Sequence, residues 1–313
     1  MNIKPSENTK LYGLGEYFNE ILNLHNQKKM PNKILLSGRK GIGKSTLAYH
    51  LINHIISLED DDFKYNLKEF MINKDNTTFK LIKNKTHPNF YLIDLMDEKK
   101  NIDIDQIRKM IIYTNKSAFN DNPRFILIDN IENLNTNSVN ALLKIVEEPN
   151  NNIYFILIHN NEKKILSTLK SRCLIFKVNM SFDGCINTAN LLLKRNIFEL
   201  VNNELISYYS TPGIFIKLIN FAQKNEINLN DYTLINFLIL LIDMNYYKKN
   251  KFIKNIIINF IQLKFFNEYK LSKKKDSIVE FYHKFFDKIK NAEKFNLDEE
   301  SLFIEFKSKL LNG

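Results

Sequence analysis

Tryptophan is absent from these 313 residues, cysteine occurs twice, proline six times and glycine eight times. Two cysteines, Cys173 and Cys185, provide neither a disulfide framework nor a four-ligand zinc set, which fits a reducing cytoplasm. No uninterrupted apolar run approaches the roughly 20 residues that cross a bilayer; the best candidate, Leu234 to Met244, is too short and carries Asp243. The opening Met1-Asn2-Ile3-Lys4-Pro5-Ser6-Glu7 is polar, so no cleavable signal and no membrane role are expected. Arginine is also scarce. Only five of the 45 basic residues are Arg, namely Arg39, Arg108, Arg124, Arg172 and Arg195. A planar guanidinium fork does what an ammonium cannot, so each position that keeps one is worth examining.

What is abundant is Lys, Asn and Ile. The formal charge of +10 suits a polyanionic partner, although lysine enrichment throughout the chain makes charge alone a weak argument. A hydrophobic content of 44% suffices for a substantial core spread over two or three domains.

With so few glycines, their clustering carries information. The stretch Gly38-Arg39-Lys40-Gly41-Ile42-Gly43-Lys44-Ser45-Thr46 follows the apolar run Ile34-Leu35-Leu36 and opens onto Leu47-Ala48-Tyr49-His50-Leu51-Ile52. It reads as strand, phosphate-binding loop (Walker A, or P-loop) and helix. The glycines let successive backbone N–H groups turn inward on a phosphate, Lys44 reaches the terminal phosphates, and Ser45 offers its hydroxyl to a magnesium ion. The expected ligands are a nucleoside triphosphate and Mg2+, with Gly38, Lys40, Gly41, Ile42, Gly43, Lys44, Ser45 and Thr46 forming the cradle.

Further strands are expected at Lys33 to Leu36, Phe90 to Leu95, Arg124 to Asp129 and Ile153 to His159. Strands alternating with helical patterns predict an α/β fold around a parallel sheet covered on both faces. Leu58 to Lys85 is polar and weakly periodic and reads as an irregular insertion. Beyond residue 179 amphipathic helices are expected at Asn187 to Arg195, Phe198 to Ser207, Pro212 to Lys224, Leu229 to Tyr247, Lys251 to Tyr269, Ser277 to Ala292 and Asp298 to Leu311.

A phosphate loop needs a second acidic element at the end of a neighbouring strand, and Asp129 after Phe125-Ile126-Leu127-Ile128 supplies it. Ser45 and Asp129 are therefore the expected magnesium residues, acting through water. The next landmarks are Asn140-Ala141-Leu142-Leu143-Lys144-Ile145-Val146-Glu147-Glu148-Pro149, a strand ending at Asn160, and Ser171-Arg172-Cys173. His87-Pro88-Asn89, Ile104-Asp105-Gln106-Ile107-Arg108 and Phe295-Asn296-Leu297-Asp298 complete the pattern.

On these motifs the chain resembles the AAA+ ATPase subunits of bacterial sliding-clamp loaders, most closely the delta-prime branch that serves DNA polymerase III, a DNA-directed DNA polymerase, in DNA replication. The likeness is dense from about residue 11 to 180 and thin beyond. It implies a RecA-like AAA+ P-loop nucleotide-binding domain over 1–179, a small helical lid over 180–228 and an all-α collar for oligomerisation over 229–313. It also implies that the triphosphate is ATP, and that ATPase and delta partners form a hetero-pentameric ring with this chain, with the sliding clamp and primer-template DNA reached through the assembly. Arg172 becomes the candidate arginine finger, acting in trans on a neighbour's nucleotide. DNA contact would run along phosphates; Lys40, Lys109, Lys116 and Lys144 are candidates, and a solvated surface position is the simpler reading of each.

The pattern departs from the family in three places. Asn130 stands where the glutamate that polarises the attacking water is usual, and an amide cannot accept that proton; Glu132 can substitute only if the strand continues, since residues two apart share a face. No arginine opens the helix after Thr211-Pro212-Gly213, where Lys217 is the nearest cation. No cysteine lies between Leu51 and Phe90, so no zinc is expected. His50 and His54, four apart, read as packing residues rather than ligands. For the sensor that faces the terminal phosphate, Asn160 or His159 is available and Asn160 is preferred.

Three functions fit to different degrees: an ATP-binding clamp-loader subunit with weak or absent hydrolysis of its own, a purely structural subunit that binds no nucleotide, and a stand-alone P-loop NTPase. The last wants an N-K-x-D element for guanine or several lid arginines, and neither is present.

Overall fold

The computed structural model describes residues 4–60, 62–96, 99–117, 119–147, 152–273, 275–295 and 300–312. Five strands, β1 (Lys33–Ser37), β2 (Phe90–Ile93), β3 (Arg124–Ile128), β4 (Ile153–His159) and β5 (Leu174–Lys177), form one sheet in the order β2-β3-β4-β1-β5. Every pairing is parallel. The α/β, RecA-like expectation holds. Four of the strands fall where periodicity put them, and β5 is an addition.

Around the sheet lie α1 (Gly15–Asn26), α2 (Lys44–Ile56), α3 (Thr77–Lys83), α4 (Ile104–Thr114), α5 (Thr136–Glu147), α6 (Ser167–Lys170) and α7 (Phe182–Leu193). Successive strand residues point to opposite faces, and the core divides accordingly. Ile34 and Leu36, Phe125 and Leu127, and Ile156 and Ile158 pack with α1, α2 and α3 residues such as Phe18, Leu47 and Phe79. Leu35, Ile126, Ile128, Phe155 and Leu157 pack instead with Ile107 and Met110 of α4 and Leu142 and Val146 of α5. Both faces of the central strands are therefore dry, which is why they read as continuous apolar runs.

The insertion expected to be irregular is not. It contains α3, capped by Asn76, whose side-chain oxygen accepts from Phe79 N at 2.7 Å. It also delivers Tyr65, Ile72, Phe79 and Ile82 to the core. Tyr65 stacks on Phe18 with ring centroids 5.2 Å apart and meets His50 Nδ1 at 2.9 Å. His50 Nε2 donates to Asn8 O at 3.0 Å. His50 and His54 are packing residues, and the described residues contain no cluster of three or more His, Cys, Asp or Glu able to hold a metal.

The remaining helices are α8 (Ile197–Leu200), α9 (Pro212–Lys224), α10 (Leu234–Asp243), α11 (Tyr246–Lys249), α12 (Lys251–Leu271), α13 (Lys275–Phe295) and α14 (Glu300–Asn312). The expected single helix from Leu229 to Tyr247 is broken: α10 stops at Asp243, and Asn245 takes the left-handed conformation before α11. Phe198 to Ser207 likewise holds only the short α8 and a 3₁₀ turn at Asn203–Leu205. Asn296, Leu297 and Asp298 of the C-terminal landmark lie outside the described residues.

Two compact units result, one of Met1–Lys194 with Ser210–Asn220, the other of Arg195–Tyr209 with Phe221–Gly313. The chain crosses between these units at 194/195, 209/210 and 220/221. The second unit is all helical, built on buried Phe237, Ile257, Phe260, Phe265 and Phe303. Phe237 meets Phe260 edge to face at 5.9 Å and Phe303 meets Tyr247 likewise at 4.9 Å. No helix among the described residues is long and apolar enough to cross a membrane.

Candidate nucleotide site

Ligands of parallel sheets sit beyond the carboxyl ends of the strands, and here the candidate residues gather in that place. Asp94 follows β2, Asp129 and Asn130 follow β3, Asn160 follows β4, and Gly38 to Gly43 join β1 to α2. Gly41 and Gly43 have φ of +80° and +105°, values that a side chain rarely tolerates, so the loop turns on them. Gly43 caps α2. The free N–H groups of Lys44, Ser45 and Thr46 and the positive end of the helix dipole therefore face an incoming anion.

Lys44 is 3% exposed and its ammonium donates to Gly38 O at 2.8 Å and Arg39 O at 2.7 Å. Burial lowers its pKa to about 8 even though Asp129, Glu132 and Glu162 pull it upward. Ser45 donates its hydroxyl hydrogen to Asp129 Oδ2 at 2.5 Å. Burial, and then the charge of Asp94, raises the Asp129 pKa to about 6 against hydrogen bonds from Ser45 and Asn130 N and the Lys44 charge. A hydroxyl and a carboxylate in contact, with the carboxylate charge disfavoured, form a donor set that suits a hard cation such as Mg2+.

Lys40 does not point into the cradle. Its ammonium pairs with Glu162 at 3.1 Å, while its carbonyl accepts from Thr211 Oγ1 at 2.8 Å. Gly213 N donates to Gly41 O at 2.9 Å. The start of α9 is thus bonded to the loop, and burial together with the Lys40 charge lowers the Lys217 pKa. The Ile42 side chain is 2% exposed and anchors the loop in the core.

The strand does not continue past Ile128. Asn130 is left-handed (φ 58°, ψ 45°) and opens a 3₁₀ turn, Ile131–Asn133, so the shared-face premise for Glu132 fails. The Glu132 carboxylate instead accepts from Asn160 N, at 3.2 and 3.3 Å to its two oxygens. Asn160 Nδ2 donates to Asn130 Oδ1 at 2.9 Å, and Asn130 Nδ2 donates to Asp94 Oδ1 at 2.7 Å. His159 is held elsewhere, by Ser37 Oγ at 3.1 Å and Lys163 O at 2.9 Å.

Sequence reasoning missed Asp94, Thr211 and Gly213. The strand-end position of Asp94 was a usable signal, whereas the approach of Gly213 to the loop has no local signature. Arg172 lies away from this cradle, exposed after α6, where Nη2 pairs with Glu147 Oε1 at 2.8 Å and Nη1 donates to Thr168 O at 2.9 Å. Glu148 and Pro149 of the neighbouring motif lie outside the described residues. Arg124 is structural: buried, it donates to Tyr113 O, Thr114 O and Lys116 O at the C-terminal end of α4.

Residues 14–181 match the family model described as DNA polymerase III, delta subunit. The chain belongs to that family. A DNA polymerase III subunit delta' of Buchnera aphidicola (Schizaphis graminum) is 30% identical over 188 residues, 59% of this chain and 54% of the relative. A DNA polymerase III subunit gamma from the same organism is 32% identical over 239 residues, 74% of this chain and 63% of the relative. The chain thus spans between half and two thirds of the length of these family members. A solved DNA polymerase III gamma subunit-related protein of Thermotoga maritima aligns over 93% of this chain and 98% of its own, with 15% identity and a TM-score of 0.46.

Proposed function

We propose that this chain is an ATP-binding, delta-prime-like subunit of a bacterial sliding-clamp loader, supporting ATP-dependent loading of the clamp onto primed DNA. The observation that carries the reading is the pairing of a buried Lys44 on the loop carbonyls with a Ser45 to Asp129 hydrogen bond at 2.5 Å. A loop that had lost its nucleotide would have no reason to keep an ammonium buried at that cost. When bound, Mg2+ would supply charge neutralisation for the phosphates, held through water by Ser45 and Asp129. The loop N–H groups and Lys44 would orient the triphosphate.

Hydrolysis by this subunit is weak or absent in this reading, because Asn130 offers no proton acceptor and Glu132 is engaged by Asn160 N. Arg172 would act on the nucleotide of a neighbouring ATPase subunit after leaving Glu147. The partners would be ATPase and delta subunits in a five-membered ring, with collar contacts from residues 229–313, a lid over 180–228 and a cytoplasmic location with the replisome.

Nucleotide binding and turnover test this. The full-length chain is expected to bind ATP, Lys44→Ala to abolish binding, and Arg172→Ala to lower turnover only when the partner subunits are present. Robust hydrolysis by the isolated chain would overturn the account of Asn130, and an unchanged affinity in Lys44→Ala would overturn the account of the loop.

A further inference from the structure

Asn130 occupies a position with little freedom. Its left-handed backbone suits Asn, whose short polar side chain is one of the few that tolerate it. The side-chain amide is gripped at both ends, since Nδ2 donates to Asp94 Oδ1 at 2.7 Å and Oδ1 accepts from Asn160 Nδ2 at 2.9 Å. Asp94 is itself fixed, accepting from Leu95 N at 2.7 Å through Oδ1 and from Gln106 Nε2 at 2.9 Å through its backbone carbonyl. An acceptor-only carboxylate cannot donate a hydrogen bond. Asp94 therefore dictates which end of the Asn130 amide faces it, and the Asn130 carbonyl in turn dictates which end of Asn160 faces inward.

We propose that Asp94 is a positioning residue for the nucleotide site, one that holds an amide at position 130 and excludes a carboxylate from it. The proposal rests on the reading of the loop as an ATP site. A carboxylate at 130 would meet the Asp94 carboxylate with like charge and no hydrogen between them. The same two positions would accept the reverse arrangement, amide at 94 and carboxylate at 130, with one donor and one acceptor still face to face. In that arrangement a proton acceptor stands beside Asp129. For hydrolysis there, the oxygen of a water molecule bonds to the γ-phosphorus, the γ-phosphorus to bridging-oxygen bond breaks, and ADP departs with the electron pair. The proton of the water passes to the carboxylate at 130.

The experiment compares wild type, Asn130→Asp, Asp94→Asn and the double variant in the full-length chain with its partner subunits, reading ATP binding, turnover and melting temperature. Asp is used at 130 because it also tolerates the left-handed backbone. The single Asn130→Asp variant is expected to melt below wild type with little gain in turnover. The double variant is expected to recover the melting temperature and to raise turnover by about a hundredfold, the lower end of what a positioned general base contributes. Turnover in Asn130→Asp alone equal to that of the double variant, or no gain in the double variant with ATP bound, overturns the proposal. If wild type binds no ATP the functional reading fails by itself, and the melts still decide the pairing: recovery in the double variant supports it, and additive losses overturn it.

Discussion

The backbone nitrogen of Gly213 donates to the carbonyl of Gly41 across 2.9 Å, joining the first turn of α9 to the phosphate loop. The contact is backbone against backbone. A Cβ on Gly213 would stand 2.8 Å from Gly41 Cα and 3.0 Å from Gly41 O, and one on Gly41 would stand 2.6 Å from Thr211 Oγ1. In the proposed ATP site the loop's N–H groups would face a phosphate, while its carbonyls at 40 and 41 already accept from Thr211 Oγ1 and Gly213 N. On that proposal, occupancy of the cradle and the seating of α9 would be coupled through the same peptides.

Gly213→Ala forces that contact apart, and overpacking of this kind costs about 1–3 kcal/mol. Urea unfolding is expected to show the loss, together with a weaker ATP affinity. The control is Ile257→Val in the second unit, which costs about 0.5–1.5 kcal/mol without touching the loop. Equal effects of the two variants on ATP affinity would show that the contact is structural filler.

Phe79 tests whether the segment before β2 is an ornament or part of the core. It is 7% exposed and packs with the α1 and α2 residues that cover one face of the sheet. Phe79→Ala is expected to cost about 3–5 kcal/mol in denaturant unfolding. A loss below about 1 kcal/mol would mean that the segment can detach without disturbing the sheet.

That segment also shows where sequence reading reached its limit. The buried strands β1, β3 and β4 were legible because both faces are covered, making each a continuous apolar run. Residues 58–85 hide their core positions among polar ones: Tyr65, Ile72 and Phe79 are seven apart, but only Phe79 and Ile82 share a helix, so the spacing marks no continuous element. β5 escaped notice because it has four residues on a sheet edge, with Leu174 and Ile175 exposed. Within the site, Lys44, Ser45 and Asp129 follow from a local motif. The Asp94, Asn130 and Asn160 chain does not, since it joins residues brought together only by the order of β2, β3 and β4.

Burial pushes the pKa of both His50 and His54 down to about 4. Above pH 6.5 the rings are neutral in folded and unfolded chains alike. As pH falls below 6.5 the unfolded chain takes up protons that the folded chain refuses, so stability drops until about pH 4, where the folded rings also titrate. The expected loss is about 3 kcal/mol per ring. His54→Phe keeps the ring packed against Phe18 and Tyr65 and should remove one ring's share of the slope between pH 6.5 and 4, leaving that of His50. The difference between variant and wild type isolates His54 from Asp129, whose raised pKa acts in the opposite sense. Parallel profiles would show that His54 titrates alike in the folded and unfolded chains.

In the proposed assembly Arg172 would have to give up Glu147 to act on a neighbouring subunit, and the strength of that pair would set how readily it does so. Nη2 meets Glu147 Oε1 at 2.8 Å, but the side chains are 36% and 50% exposed, and half-exposed pairs contribute about 0.2–1 kcal/mol. Glu147→Ala should therefore leave the melting temperature nearly unchanged. If the pair merely parks the arginine, the same variant raises turnover in the assembly by about the factor of up to five that 1 kcal/mol allows. Arg172→Lys should then lose most of the effect of the wild-type residue, because an ammonium cannot reproduce the planar fork. A fall in turnover in Glu147→Ala as large as that in Arg172→Ala would reverse the assignment, making Glu147 the group that aims Arg172 rather than the one that holds it back.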